Sequence, residues 1–268
     1  MKKNCLTDFT FLIPIRIDSI IRLENLLMTV DYIQRNFETH IIILQASRYE
    51  NGFIPRLLNS HKGDIRYLFI EDYDNVFYRT KYLNRMTEMT TTPYEGIWDT
   101  DVIIDKLQIL EGVNKLREGF DVVYPYDGHF YDTSDVIREE FFKHRDLRIL
   151  QRNMPKMGLI YGKEMKGGAM FVNRLSYIKA GMENEAFYGW GPEDWERYER
   201  WKILGLRVLQ VKGGLYHLTH GRGTDSQFRS LAQMLQSNKE YLDTTLCNKN
   251  ELEAKEIVGD ADNSHSYL

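Results

Sequence analysis

The chain has 268 residues, 43% of them hydrophobic and 28% charged, with a formal net charge of -4. That length can bury a substantial core as one large or two small domains, and the acidic balance argues against a nucleic-acid binder, which should be basic. Two cysteines near opposite ends, Cys5 and Cys247, argue against a disulfide framework and fit a reducing compartment. No stretch approaches the roughly 20 apolar residues that span a bilayer, and no apolar run precedes Asp8, so the expectation is a soluble, cytoplasmic chain.

In chain order, Thr10 to Ile15 reads as a buried strand that runs into the loop Arg16-Ile17-Asp18. Asp18 or Ser19 caps a helix whose Ile20, Leu23, Leu26, Leu27 and Val30 recur at helical spacing. His40 to Leu44 and Ile65 to Ile70 are further strands. A loop at Asn51-Gly52 and Pro55, with a short helix, lies between them. Helices are expected over Tyr78 to Met89 and Ile104 to Leu116, and a strand over Asp121 to Tyr126. This β-α-β-α-β-α-β order predicts an α/β fold with a mostly parallel, doubly wound sheet. Beyond it come a helix over Ser134 to Arg148, an apolar run over Ala169 to Val172 that Gly167-Gly168 opens, a short helix over Leu175 to Ala180 and a helix from Glu193 to Leu204. Arg207 to Val211 and the segment around His217 read as strands, and the chain beyond Gln227 turns helical and then polar. The expected division is one catalytic-size domain over residues 1–230 and a helical tail over 231–268, with a mobile end at 260–268.

Three clusters carry candidate chemistry. The segment Tyr188-Gly189-Trp190-Gly191-Pro192-Glu193-Asp194 sets a flat aromatic beside two carboxylates, where a sugar could stack and a base could act. The same residues also spell a helix start, with Pro192 at the first helical position and acidic groups facing the exposed amides. Asp99-Thr100-Asp101 follows a strand end and offers hard oxygens to Mg²⁺ or Mn²⁺; such pairs are also common in solvated loops. His217-x-x-His220 can bring two imidazoles to one ion if the segment turns, which tilts the choice toward Mn²⁺; otherwise one histidine packs and one is exposed. Neither a Gly-Lys-Ser/Thr phosphate loop nor a G-x-G-x-x-G turn is present, which removes support for nucleotide hydrolysis and dinucleotide binding.

Taken together and in order, these segments resemble GT-A-fold glycosyltransferases, most closely the β-1,4-galactosyltransferase type and bacterial polysaccharide relatives. Ile13-Pro14-Ile15-Arg16 is similar to the family's Ile-Pro-Phe-Arg segment at the uridine nucleotide. Phe77-Tyr78-Arg79 through Asn84 is similar to its Phe-Asn-Arg helix start. Asp99-Thr100-Asp101 is similar to the metal motif, Gly167-Gly168 to the segment beside the donor sugar, and Gly189-Trp190-Gly191-Pro192-Glu193-Asp194 to the Trp-Gly-Trp-Gly-Gly-Glu-Asp signature. His217 and His220 fall where the family places late metal ligands. Pro192 replaces a family glycine and would stiffen that loop, and Asp18 stands where a second nucleotide-side arginine is common.

The resemblance implies an inverting transferase that moves galactose or N-acetylgalactosamine from a UDP-sugar to a glycan or lipid-linked saccharide, with peripheral work at the inner membrane face. It implies Asp194 as general base, and Asp101, His217 and His220 as ligands of Mn²⁺ or Mg²⁺. It implies donor or acceptor contacts from Pro14, Arg16, Phe77, Arg79, Asp99, Gly168, Trp190 and Glu193. The alternatives are a retaining N-acetylgalactosaminyltransferase-like enzyme, a nucleotide-sugar binder without catalysis, and a metallohydrolase. Glu-Asp rather than Glu-Asn favours inversion, the intact carboxylates argue against a mere binder, and a hydrolase has no use for Trp190.

Overall fold

The computed structural model describes residues 3–255 apart from 51, 60–62, 161, 163, 222 and 224–226. The end expected to be mobile, 260–268, lies outside the described residues. The elements are β1 (Asn4–Ile15), α1 (Ile20–Asn36), β2 (Phe37–Ser47), α2 (Phe53–Asn59), β3 (Asp64–Glu71), α3 (Arg79–Met89) and β4 (Tyr94–Trp98). Then follow β5 (Val102–Ile104), α4 (Lys106–Arg117), β6 (Val122–Tyr124), β7 (Phe130–Asp132), α5 (Asp135–His144), α6 (Leu147–Asn153) and β8 (Gly158–Leu159). The chain continues through β9 (Ala169–Asn173), α7 (Arg174–Lys179), α8 (Glu193–Leu204), β10 (Val208–Gln210), β11 (Leu215–His217) and α9 (Leu231–Thr245).

The main sheet has the order β10-β6-β9-β4-β1-β2-β3. β1 pairs in parallel with both β2 and β4, and β9 enters antiparallel between β4 and β6. The sheet is therefore mostly parallel, as expected. Strand order reverses between β1 and β4, and the crevice outside the carboxyl ends of such strands is where open α/β sheets bind ligands. Pro14 to Arg16 leave β1 at that edge and Asp99 to Asp101 leave β4 there.

The apolar runs of β1, β4 and β9 meet in an aromatic core. Phe11 lies edge-on to Trp98 at 5.3 Å, and Trp98 stacks on Phe171 at 6.0 Å. Trp98 is fully buried, and its indole N–H donates to the Val102 carbonyl at 3.1 Å. That bond folds the Asp99–Asp101 turn tightly over the end of the sheet. On α1, Leu23, Leu26, Val30 and Ile33 turn inward, and Ser19 rather than Asp18 caps the helix, accepting the Arg22 amide at 3.3 Å.

Local signals mark several boundaries differently from the sequence pattern. The helix expected from Ile104 begins at Lys106, because Asp105 caps it and Val102–Ile104 pairs with β11 as a strand. The helix expected over Ser134 to Arg148 is two helices. Arg145 takes a left-handed φ of 53°, and Asp146 then caps a new start. Pro192 is the N-cap of α8 and not its first helical residue; its carbonyl accepts the amides of Trp195 and Glu196. Among the described residues no helix is long and apolar enough to cross a membrane.

Candidate active site

A small second sheet, β5-β11-β7-β8, closes the crevice. Its register places His217 opposite Val102 on one side and opposite Asp132 on the other. The Leu218 amide donates to the Asp101 carbonyl at 2.7 Å, and the Thr29 hydroxyl donates to the Thr100 carbonyl at 3.0 Å, so the Asp99–Asp101 turn is held from two sides.

Asp101, His217 and His220 meet there. Each offers one ligand atom, and those atoms lie within 4.8 Å of one another. His220 Nε2 is 3.0 Å from Asp101 Oδ2, and His217 Nε2 is 3.7 Å from Asp101 Oδ1. The opposite nitrogens are engaged: His217 Nδ1 with Asp132 at 2.8 Å and His220 Nδ1 with the Gly221 carbonyl at 2.8 Å. Anchoring Nδ1 in this way turns Nε2 inward, the arrangement that orients metal-binding imidazoles. Burial works against ionising Asp101, yet the neighbouring imidazoles hold its carboxyl down at about 2. Burial also opposes charge on His217, but the Asp101 and Asp132 carboxylates raise its pKa overall. A carboxylate and two imidazoles fit a hard-to-borderline divalent cation.

α3 and α8 carry further ionic groups that line the same cleft. Arg79 opens α3 and donates to Asp99 Oδ1 at 2.9 Å, while its Nη1 is buried without a hydrogen bond. Glu193 Oε2 is likewise buried and unbonded. Both atoms belong to residues that line the cleft, where a bound polar group can reach them. Burial first, and then the charge of Asp194 beside it, pushes the Glu193 carboxyl up to about 8. Asp194 is the second residue of α8, 25% exposed, and one of its oxygens accepts from Arg197 at 2.7 Å.

Arg197 is itself buried, gripping both oxygens of Glu183 at 2.6 Å, and Tyr177 donates to the same carboxylate at 2.7 Å. Asp194 is thus the cleft-facing end of a buried ionic chain. Glycine is required facing it. A Cβ on Gly167 would collide with Asp194 Oδ2, and Gly168, at φ +81°, has no room beside Phe130.

The cleft these groups line has a volume of about 250 Å³. Every candidate residue from the sequence lines it: Pro14, Arg16, Phe77, Arg79, Asp99, Asp101, Gly168, Trp190, Glu193, Asp194, His217 and His220. Arg16 is committed at its far end, to Asp72 at 2.6 Å and to the Ala46 carbonyl, and it lies over the Phe77 ring at 5.3 Å. Trp190 packs edge-on to Phe228 at 4.7 Å. Arg22, Phe130 and Ile160 also line the cleft and did not stand out in the sequence. Arg197 and Asp132 were missed as well. The i,i+3 spacing of Asp194 and Arg197 on one helix was the available signal for the first. Nothing local pointed to Asp132.

Residues 148–222 match a family described as the N-terminal domain of galactosyltransferase. None of the curated protein sequences matches the chain. Among solved structures, glucosyl-3-phosphoglycerate synthase from Mycobacterium tuberculosis, in complex with Mn²⁺, UDP and phosphoglyceric acid, is similar with a TM-score of 0.54 at 14% identity, over 89% of this chain and 78% of that one. The catalytic domain of Drosophila β1,4-galactosyltransferase 7, in complex with xylobiose, gives 0.51 at 15% identity over 88% and 79%. A mutant of the same Drosophila enzyme, with manganese, UDP-Gal and xylobiose, gives 0.52 at 14% over 91% and 80%. At such identities the likeness is one of fold.

Proposed function

We propose that this GT-A-fold glycosyltransferase, galactosyltransferase-like over residues 148–222, is a metal-dependent inverting enzyme. It moves a hexose or N-acetylhexosamine, galactose or N-acetylgalactosamine first, from a UDP-sugar to a glycan hydroxyl. A lipid-linked saccharide is one acceptor class. The observation that carries the reading is that one cleft is lined both by the cluster Asp101, His217 and His220 and by the carboxylates Glu193 and Asp194.

Asp101, His217 and His220 would hold Mn²⁺ or Mg²⁺, which when bound neutralises charge on the departing diphosphate. Phe77 and Pro14 supply apolar surface for the base, and Arg16, which lies over the Phe77 ring, adds a positive charge to the same part of the cleft. Arg79 Nη1 has an open donor for a phosphate or ribose oxygen, and Asp99 keeps the guanidinium aimed there. Trp190 offers a face to the sugar at the mouth. Asp194 takes the acceptor proton as the oxygen attacks the anomeric carbon from the face opposite UDP. Arg197 fixes that carboxylate's rotamer, so no reorganisation is needed at the moment of transfer. The experiment is a transfer assay with UDP-galactose and UDP-N-acetylgalactosamine, with and without Mn²⁺, and NMR of the product anomer. A β-linked product from the α-linked donor supports the reading. Retention of configuration, or hydrolysis alone, sinks it.

Glu193 adds a pH signature. Its folded-state pKa of about 8 stands above its ordinary 4.5. The stability this protonation contributes is therefore complete below about pH 4.5 and lost as pH rises through 8. At neutral pH the neutral carboxyl can donate to a sugar hydroxyl, whereas at pH 9 it presents a charge. UDP-sugar affinity, read by calorimetry, is expected to fall as pH rises through about 8, and Glu193→Gln is expected to flatten that limb. A limb that persists unchanged in Glu193→Gln would assign it to another group.

A further inference from the structure

Ser230-x-x-Gln233 opens α9 with the spelling of a capping box. Half of that expectation is met: the Ser230 hydroxyl accepts the Gln233 amide at 3.1 Å. The Gln233 side chain does more than a cap requires. Its Oε1 accepts the Arg229 amide at 2.6 Å, and its Nε2 leaves the helix and donates to the carbonyls of Tyr188 at 2.7 Å and Trp190 at 3.4 Å. Those carbonyls flank Gly189, which sits at φ +86°, where a Cβ would stand only 2.7 Å from Val76 Cγ1 and from Gln233 Nε2. One turn along α9, the buried Ser237 stands against Gly191. Thr244 bonds Glu196 at 3.0 Å and Glu240 bonds Asn184 at 3.0 Å, so α9 is tied to the chain on both sides of the loop. Phe228, just ahead of α9, abuts the Trp190 ring.

We infer that α9 belongs to the sugar-transfer machinery, with Gln233 as a positioning residue that clamps the Tyr188–Pro192 loop and holds Trp190 in the cleft before any substrate arrives. The kinetic consequence rests on the glycosyl-transfer reading above; the clamp does not. Two donated hydrogen bonds are enough to shift a loop's open fraction by about tenfold. A clamped platform also lowers the ordering cost of binding, which appears in KM before kcat.

Gln233→Glu separates this role from helix capping. Glutamate is as good as glutamine at that helix position and still accepts the Arg229 amide, but it donates to neither carbonyl. In the ligand-free chain, hydrogen–deuterium exchange of peptides over residues 187–192 is expected to speed up about tenfold in Q233E, with the melting temperature lowered by no more than about 2–4 °C. With UDP-galactose and Mn²⁺, acceptor KM is expected to rise about tenfold, kcat to fall less, and UDP affinity to stay at the parent value. Gln233→Leu, which loses cap and clamp together, should reproduce the exchange result. Faster exchange in Q233L alone makes Gln233 only a helix cap and overturns the proposal. Faster exchange in Q233E with unchanged KM overturns its positioning role. If the parent chain transfers no sugar, the glycosyl-transfer reading fails, and the exchange measurement still decides the clamp.

Discussion

Asp194→Asn is expected to lower turnover by about 10²–10⁴ while UDP and Mn²⁺ bind as in the parent, because a positioned general base contributes about that much. The substitution is nearly isosteric. The asparagine carbonyl can still accept from Arg197, which holds Asp194 Oδ1 at 2.7 Å, and the buried Arg197–Glu183 pair at 2.6 Å remains complete. Folding and the shape of the cleft should therefore survive, and what is lost is the ability to take a proton. The check is steady-state transfer alongside calorimetric UDP binding in the presence of Mn²⁺. Turnover within tenfold of the parent would remove Asp194 as the base. A parallel loss of UDP binding would place its effect in the ground state.

Asp101→Ala is expected to abolish metal-dependent transfer, with Mn²⁺ affinity down by more than the 10–100-fold typical of losing an outer-shell partner. Asp101 faces both imidazoles, at 3.0 Å and 3.7 Å, so its loss leaves neutral ligands alone to hold a dication. Asp132→Asn should show the smaller effect, about 10–100-fold in Mn²⁺ affinity, because it touches only the far nitrogen of His217 at 2.8 Å. Affinity should also weaken as pH falls through the raised pKa of His217, since a proton then competes for the nitrogen the ion needs. Electron paramagnetic resonance of Mn²⁺ during titration measures all three. Full affinity in Asp101→Ala would move the ion elsewhere in the cleft.

Much of the fold was legible because its signals are local. The apolar runs of β1, β2 and β9, the capped start of α1, and the glycine stop at Gly205 each act within a few residues. The break at Arg145 was not legible, because no glycine or proline marks it and only the capping by Asp146 makes the second start favourable. The apolar character of Ile104 suits a helix or a strand equally, and pairing of β5 with β11 decides for the strand.

For the site, residue types and their order already named the chemistry at hand: the carboxylate pair at Glu193 and Asp194, the Asp99–Asp101 turn, the late histidines and the paired glycines. Motif order and residue type carry that information without any knowledge of contacts. That these groups share one cleft follows from the fold, because strand reversal between β1 and β4 and the register of β11 bring them together. It alone supplied the residues that hold them in place. Asp132 reaches His217 across 85 positions and Gln233 reaches Tyr188 across 45. Separations of that size are closed by sheet pairing and helix packing, which no local periodicity encodes.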